Sequence, residues 1–241
     1  MSTFVLVHGA WHTGDLFEPV AQLIRDAGHT VYCPTIAGNR PEDSRTMGLE
    51  DAISSIVDFL HESDLQDVVL MGHSYGGMII SGVADRCPER LRRLIYWNAF
   101  VPNNGESVND LVPPHYVNMF DAINSVAPDQ GVMLPFAVWR EAFINDGSEE
   151  LARKSYDQLN AHPYATFTDK IELKKNLAEM EIGKSYINGT EDTAMPHSLP
   201  WHPRLSEKLG LFRLVQIAGS HEVCFTNPGA LSEAIILAGR D

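Results

Sequence analysis

Short apolar runs alternate with longer amphipathic segments along the first part of the chain. Residues 3–7 form a β-branched apolar run, which predicts a buried strand. Apolar positions at helical spacing over residues 15–27 predict a helix, and Gly28 stands where that helix would end. The next predicted elements are a strand at 29–33, a helix at 49–61, a strand beginning at 67, a helix ending near Arg86 and a strand at 91–99. This alternation predicts a mostly parallel central sheet flanked by helices on both faces.

The pattern changes near Pro102, where the alternation of strands and helices stops. The helical candidates that follow are 116–123, 135–144 and 148–159. After them come predicted strands at 184–188 and 212–218 and a predicted helix at 228–237. We therefore expect an α/β core made from residues 1–102 and 178–241, with residues 103–177 inserted as a helical cap rather than as a separate domain.

Length and charge narrow the class of protein. The chain has 241 residues, enough for one sizeable core. Its formal net charge of −14 argues against nucleic-acid phosphates or an anionic membrane as partners. The three cysteines, Cys33, Cys87 and Cys224, lie in unrelated contexts and predict reduced thiols rather than disulfides or a metal site. The sequence shows no basic N-terminal targeting region and no apolar run near the roughly 20 residues that cross a bilayer. We therefore expect a cytoplasmic enzyme.

A serine flanked by glycines follows the predicted strand that begins at residue 67. The stretch from Gly72 to Gly76 reads Gly-His-Ser-Tyr-Gly, with Ser74 at its centre, and it leads directly into an apolar helical segment. In this strand–turn–helix context a serine sits on a sharp turn with its hydroxyl pointing away from the sheet. The glycines permit close backbone contacts, and the following helix directs its first N–H groups toward the same place. Ser74 is therefore the candidate nucleophile.

Main-chain donors for a developing oxyanion are predicted on two loops. The first strand is followed by His8, Gly9, Ala10 and Trp11, and a small residue at such a place can offer its N–H group. The residue directly after the nucleophile, Tyr75, supplies the second N–H group in this arrangement. We predict Ala10 and Tyr75 as the oxyanion-hole residues through their amides, and we expect His8 to be structural.

An acid and a histidine follow the last two predicted strands. Asp192 lies in the loop after the strand at 184–188, and His221 lies in the loop after the strand at 212–218. A serine needs a histidine to take its proton, and the histidine needs a carboxylate to hold its tautomer. We therefore predict Ser74 as nucleophile, His221 as base and Asp192 as the orienting acid. Glu191 is the local rival for the acid.

These motifs resemble those of the α/β-hydrolases. The segments that carry the resemblance are 4–11, 71–77, 99–102, 189–192 and 219–221. More narrowly, the chain is similar to the compact branch that holds plant methylesterases, hydroxynitrile lyases and bacterial carboxylesterases such as pyrethroid hydrolases. The resemblance runs nearly end to end. It implies the α/β-hydrolase fold with a helical cap, and hydrolysis through an acyl-enzyme without a cofactor or metal.

Two positions depart from the lyases of that branch. The pattern typical of those lyases has threonine at the position of Ala10 and lysine at the position of Glu222, directly after the histidine. Ala10 has no hydroxyl to take part in proton transfer, and Glu222 has the wrong charge to stabilise cyanide. These departures argue against cyanohydrin cleavage. The strand at 91–99 carries Asn98 near its end and no acid, which leaves Asp192 with less competition for the triad.

The main functional hypothesis is a serine hydrolase that cleaves a small, largely apolar carboxylic ester or lactone. Candidate pocket residues are Trp11, Phe120, Phe136 and Trp139, although each could equally pack within the core of the cap. A cofactor-free dioxygenase or a C–C bond hydrolase, using the His221–Asp192 pair as a base, is the alternative on the same scaffold. A third hypothesis is a non-enzymatic receptor for a small ligand. The sequence leaves monomer and homodimer both open.

Overall fold

The computed structural model describes residues 1–240, so Asp241, the last residue of the predicted core, lies outside the described part. These residues form one six-stranded sheet in the order β2-β1-β3-β4-β5-β6, and every neighbouring pair is parallel. The strands are β1 (Thr3–Val7), β2 (Thr30–Tyr32), β3 (Val68–His73), β4 (Leu91–Trp97), β5 (Gly183–Gly189) and β6 (Arg213–Ile217). The predicted sheet is confirmed, and its strands differ from the predicted bounds by one or two residues at their ends.

Helices cover both faces of this sheet. The α-helices are α1 (Glu18–Asp26), α2 (Leu49–Glu62), α3 (Gly76–Arg86), α4 (Val108–Leu111), α5 (Pro114–Val126), α6 (Phe136–Val138), α7 (Glu149–Tyr156), α8 (Ala165–Thr168), α9 (Val223–Thr226) and α10 (Pro228–Ala238). Helices α1 and α10 pack on one face, and α2 and α3 pack on the other. The alternation of β1 explains this arrangement, because Phe4 and Leu6 join one apolar cluster while Val5 and Val7 join the other.

The helices α4, α8 and α9 were missed by the sequence pattern. Each is four residues long, which is too short to display a helical period of apolar positions. The predicted helix at 135–144 is α6 followed by a π-helical turn at Trp139–Phe143. Within residues 1–240, no helix is long and apolar enough to span a membrane.

The segment between β4 and β5 contains α4 to α8 and, in the described chain, adds no strand to the sheet. Its one bridge of β type joins Val132 and His162 within the segment itself. The division of the chain into a core and a cap at residues 103–177 stays a prediction.

The turn between β3 and α3 depends on a close approach between two backbones. A Cβ atom on Gly76 would lie 2.7 Å from the carbonyl oxygen of Val7 and 2.8 Å from that of His8. Both distances are shorter than any real Cβ contact, and both neighbours are backbone atoms that cannot rotate away. Only glycine therefore allows α3 to start this close to the end of β1.

We predict that Gly76→Ala destabilises the protein by about 1–3 kcal/mol, because overpacking of a close-packed interior forces backbone shifts of this cost. The matched control is Gly229→Ala in α10, where the added Cβ would contact only Asn227 Oδ1, at 3.7 Å. That control should be neutral or stabilising by up to about 1 kcal/mol, since alanine has the higher helix propensity. Urea unfolding measures both variants, and a wild-type midpoint for Gly76→Ala would contradict the prediction.

Candidate active site

Ser74 lies at the sharp turn between β3 and α3. Its φ of 53° is in the left-handed region, which is strained for a residue other than glycine. The surrounding backbone holds it there, because Ser74 N donates to Trp97 O at 3.2 Å and Ser74 O accepts from Phe100 N at 3.1 Å. Only 7% of the serine is exposed. The structure thus places the predicted nucleophile on a fixed turn beside the N-terminus of α3.

His221 and Asp192 form a short, buried hydrogen bond. His221 Nδ1 lies 2.6 Å from Asp192 Oδ2, and each side chain is only 1% exposed. The other carboxylate oxygen, Asp192 Oδ1, accepts from Ala194 N at 2.8 Å. Because a carboxylate accepts, this geometry places a proton on His221 Nδ1 and leaves Nε2 as the nitrogen available to act as a base. The rival acid, Glu191, is exposed.

The second ring nitrogen of His221 has no hydrogen-bond partner among the described residues, although it is buried. No hydrogen bond therefore joins it to Ser74 Oγ. Besides the ring of His73, at 4.6 Å, the imidazole packs against Trp201, on which it stacks at 5.2 Å, and Phe143, which it meets edge-on at 5.2 Å between ring centroids. Both rings also line the cavity that contains Ser74. The hydrogen bond between a nucleophile and its base often forms only when substrate is bound, so the missing bond does not rule out the pair.

Asn98 is a site residue that the sequence analysis did not select. It follows β4 directly, and its Nδ2 donates to Asp192 Oδ2 at 2.6 Å. Its Oδ1 accepts from Gly189 N at 2.8 Å, so the amide is held from both ends. Asp192 Oδ2 therefore receives hydrogen bonds from both Asn98 and His221. In the sequence, Asn98 is a polar residue that follows a buried strand. By itself this position indicates only that no acid stands there.

The predicted oxyanion-hole residues, Ala10 and Tyr75, line the same cavity as Ser74. No turn or loop hydrogen bond among residues 1–240 uses the main-chain N–H of Ala10 or Tyr75. The carbonyl of Ala10 is occupied, since it accepts from His12 Nδ1 at 2.7 Å. The assignment of these two N–H groups to an oxyanion hole stays a prediction.

The cavity beside Ser74 is small and almost wholly apolar. Its volume is about 30 Å³, far below the roughly 300–1,000 Å³ of a typical ligand site. Of the predicted pocket residues, Trp11 and Phe120 line it, but Phe136 and Trp139 do not.

Phe136 and Trp139 instead make contacts within the segment between β4 and β5. Trp139 is fully buried, and its indole N–H donates to Ala152 O at 3.1 Å, which turns the ring away from the cavity. Phe136 packs against Tyr156 and under the guanidinium of Arg153. Further aromatic residues that line the cavity are Tyr116, Phe143, Phe167 and Trp201.

Two buried histidines near the serine are neutral structural groups. Burial lowers the pKa of His8 to about 3, and its Nε2 accepts from Ile36 N at 3.0 Å. Burial, with the neighbouring His221, also lowers the pKa of His73 well below its ordinary value. His73 Nε2 donates to the carbonyl oxygen of His221 at 3.0 Å, which steadies the loop after β6.

One group of side chains has the composition of a metal site. Atoms of His73, His221 and Glu222 lie within 4.8 Å of one another. Glu222 is already hydrogen-bonded to His12 at 3.0 Å, so a metal here would have to displace that pair. The absence of a metal or cofactor from the reaction stays a prediction.

A family model described as the alpha/beta hydrolase family matches residues 4–234. The chain belongs to the alpha/beta hydrolase family. It is similar to a carbendazim hydrolyzing esterase of Nocardioides sp. (strain SG-4G), 44% identical over 116 residues. That match covers 47% of this chain and 48% of the esterase, so it spans about half of the relative. A pyrethroid hydrolase of Sphingobium wenxiniae is 25% identical over 98% of this chain and 86% of its own.

Solved structures show the same architecture over the whole chain. An extracellular alpha/beta-hydrolase from a Paenibacillus species, described as sharing structural and functional homology with tobacco salicylic acid binding protein 2, is 35% identical, with a TM-score of 0.96 over 100% of both chains. A pyrethroid hydrolase from Sphingobium faniae JZ-2 is 23% identical with a TM-score of 0.79 over 99% of this chain and 97% of its own, which shows the fold alone. The predicted family and fold are confirmed, and the relatives' names agree with the predicted enzyme class, a carboxylic ester hydrolase.

We predict that Asn98→Asp lowers stability and that the loss grows as the pH rises. The new carboxylate would face Asp192 Oδ2 across the present 2.6 Å contact. Two carboxylates at this distance share one proton at low pH and repel each other once both ionise. The folded variant therefore holds a proton that the unfolded chain releases, and its stability falls with rising pH.

Urea unfolding of Asn98→Asp and wild type at about pH 5 and about pH 8 measures this difference, a range over which an ordinary unfolded carboxyl is ionised. Asn118→Asp, on the exposed side of α5, is the matched control, and its loss of stability should not grow with rising pH. If the difference in the free energy of unfolding between Asn98→Asp and wild type is the same at both pH values, the close carboxylate pair is ruled out.

Proposed function

We propose that the protein is a serine hydrolase that cleaves a small, largely apolar carboxylic ester or lactone through an acyl-enzyme. The observation that carries the proposal is the buried hydrogen bond between His221 Nδ1 and Asp192 Oδ2, 2.6 Å long, with Nε2 left free of a partner. A histidine held in this tautomer is suited to take the proton of Ser74.

In the first half of the reaction, Ser74 Oγ attacks the ester carbonyl carbon while its proton passes to His221 Nε2. Asp192 stabilises the imidazolium that forms and keeps the ring oriented. The carbonyl oxygen becomes negative, and the N–H groups of Ala10 and Tyr75 donate to it. The tetrahedral intermediate collapses, His221 protonates the leaving alkoxide, and the alcohol departs.

In the second half, a water molecule attacks the acyl-enzyme. His221 takes the proton of this water, and the same two N–H groups hold the second tetrahedral intermediate. Collapse breaks the bond to Ser74, whose oxygen regains a proton from His221. The carboxylic acid leaves, and the site returns to its starting state without any cofactor.

The cavity supports an apolar substrate. Its walls are mainly aromatic, and the hydroxyl of one wall residue, Tyr116, is already used, because it donates to Ala194 O at 2.9 Å. An ester without charged groups is therefore the preferred class, since an ion would be left unpaired in such a site. The names of the relatives, which include a pyrethroid hydrolase and methylesterases, support an ester substrate.

We further propose that residues 103–177 form the cap of this site. Four aromatic residues of that segment contribute to the walls around Ser74: Tyr116, Phe120, Phe143 and Phe167. Because the cavity of about 30 Å³ is too small for an ester, substrate entry requires these walls to move apart. The cytoplasm remains the proposed compartment on the basis of the free thiols, although the Paenibacillus relative is described as extracellular.

We predict that Ser74→Ala lowers kcat toward p-nitrophenyl acetate by at least about 10³-fold, because the nucleophile is lost while binding remains. It should also abolish labelling by a fluorophosphonate probe, detected as a mass increase of the intact protein. Ser63→Ala, an exposed serine after α2, is the matched control and should keep both activity and labelling. Wild-type turnover by Ser74→Ala would refute the acyl-enzyme mechanism.

A further inference from the structure

His12 is a buried histidine for which the proposed reaction has no use. It is 1% exposed, and both of its ring nitrogens face oxygen atoms. Nδ1 lies 2.7 Å from Ala10 O, and Nε2 lies 3.0 Å from Glu222 Oε2. A peptide carbonyl accepts hydrogen bonds only, and so does an ionised carboxylate. The geometry therefore places a proton on each ring nitrogen and makes His12 a cation paired with Glu222.

The surroundings of the pair favour this charged form. Burial alone would lower the pKa of His12, but the charge and hydrogen bond of Glu222, together with the hydrogen bond to Ala10 O, outweigh burial and raise it. The other rings against His12 are Trp139, Phe225 and the neutral His73, at centroid distances of 5.8, 5.9 and 5.9 Å. Other titratable groups nearby are Cys224, whose thiol lies 3.7 Å from Glu222 Oε2, the neutral histidines His8 and His162, and His221, a ring nitrogen of which lies within 4.8 Å of a Glu222 carboxylate oxygen.

The pair joins two loops that meet at the site. His12 belongs to the loop after β1 and bonds to the carbonyl of Ala10. Glu222 directly follows His221, and its own N–H group is held by Phe143 O at 3.2 Å. The β1 loop needs such a restraint, because Trp11 has a φ of 66°, a strained conformation for a bulky residue.

We propose that His12 and Glu222 are positioning residues that hold the Ala10 N–H in place relative to His221. The inference rests on the proposed function, because it assigns Ala10 a role toward the oxyanion. Neither side chain touches the reacting atoms in this scheme. Their ion pair holds residue Ala10 through its carbonyl group on one side and the His221 loop on the other. Because the N–H and carbonyl groups of Ala10 are joined through one Cα atom, restraining the carbonyl restrains the position of the oxyanion donor relative to the base.

The protonation state is tested first, without any turnover. NMR of ¹⁵N-histidine-labelled Ser74→Ala protein at neutral pH should show both ring nitrogens of His12 carrying protons, with His12→Gln providing the assignment. A bare ring nitrogen on His12 at neutral pH would overturn the charged pair. Because the protein used has no nucleophile, this result does not depend on the proposed hydrolysis.

Kinetics test the positioning role. Glu222→Ala should lower kcat by about 10–100-fold, approaching the effect of losing one oxyanion donor, with KM nearly unchanged. Glu222→Gln should restore most of kcat, since its side-chain N–H can donate to Nε2 of a neutral His12 and preserve the bridge. Glu233→Ala, at an exposed position of α10, is the control and should match wild type. A wild-type kcat for folded Glu222→Ala would overturn the proposal.

The pH profile supplies a test that does not need Glu222→Ala to fold. At alkaline pH the wild-type His12 loses a proton and one bond of the bridge, so kcat should fall. In Glu222→Gln, His12 is already neutral and has no such proton to lose. The fall of kcat at alkaline pH should therefore disappear or move to higher pH in this variant. The same fall of kcat at alkaline pH in the wild type and in Glu222→Gln would contradict the proposal. An active Ser74→Ala would instead refute the proposed function, so the two failures are distinguishable.

Discussion

The parallel direction of the sheet strands is the constraint on which the site depends. Because neighbouring strands run the same way, the loops after them emerge at one edge of the sheet. Residues far apart in sequence meet there: Ala10 after β1, Ser74 after β3, Asn98 after β4, Asp192 after β5 and His221 after β6. Close packing of β1 against the start of α3, at Gly76, then sets how near the first two loops come. Helices on both faces keep the strands buried and the edge fixed.

The apolar pattern was sufficient to predict the sheet, since buried strands and amphipathic helices differ in period and length. It also indicated which loops share an edge, and the structure brings Asp192 and His221 together there at 2.6 Å. It could not assign Asn98, because a neutral amide acquires its role only from the neighbouring strand. The hydrogen bonds from Asn98 to Asp192 and from Gly189 to Asn98 depend on the order of β4 and β5 in space.

The walls of the cavity were harder to predict than the groups around the serine. Strand order fixes where a loop emerges, but helix spacing alone does not say which side of a cap helix faces the site. Trp139 and Phe120 illustrate this, as both are buried aromatic residues of the same segment. Phe120 lines the cavity, whereas the indole N–H of Trp139 donates to Ala152 O in the same segment. A buried indole follows its hydrogen-bond partner, and that partner lies 13 residues away along the chain.

Glu222 shows most clearly how sequence and structure answer different questions. Its position after His221 argues, from charge alone, against a lyase that stabilises cyanide. Its burial raises a further question, because a carboxylate 1% exposed needs a partner. That partner is His12, 210 residues away in sequence and beside Ala10 in space. Because the two charges neutralise each other and neither residue lines the cavity, the pair adds no net charge to the cavity wall, which is compatible with the uncharged ester proposed as substrate.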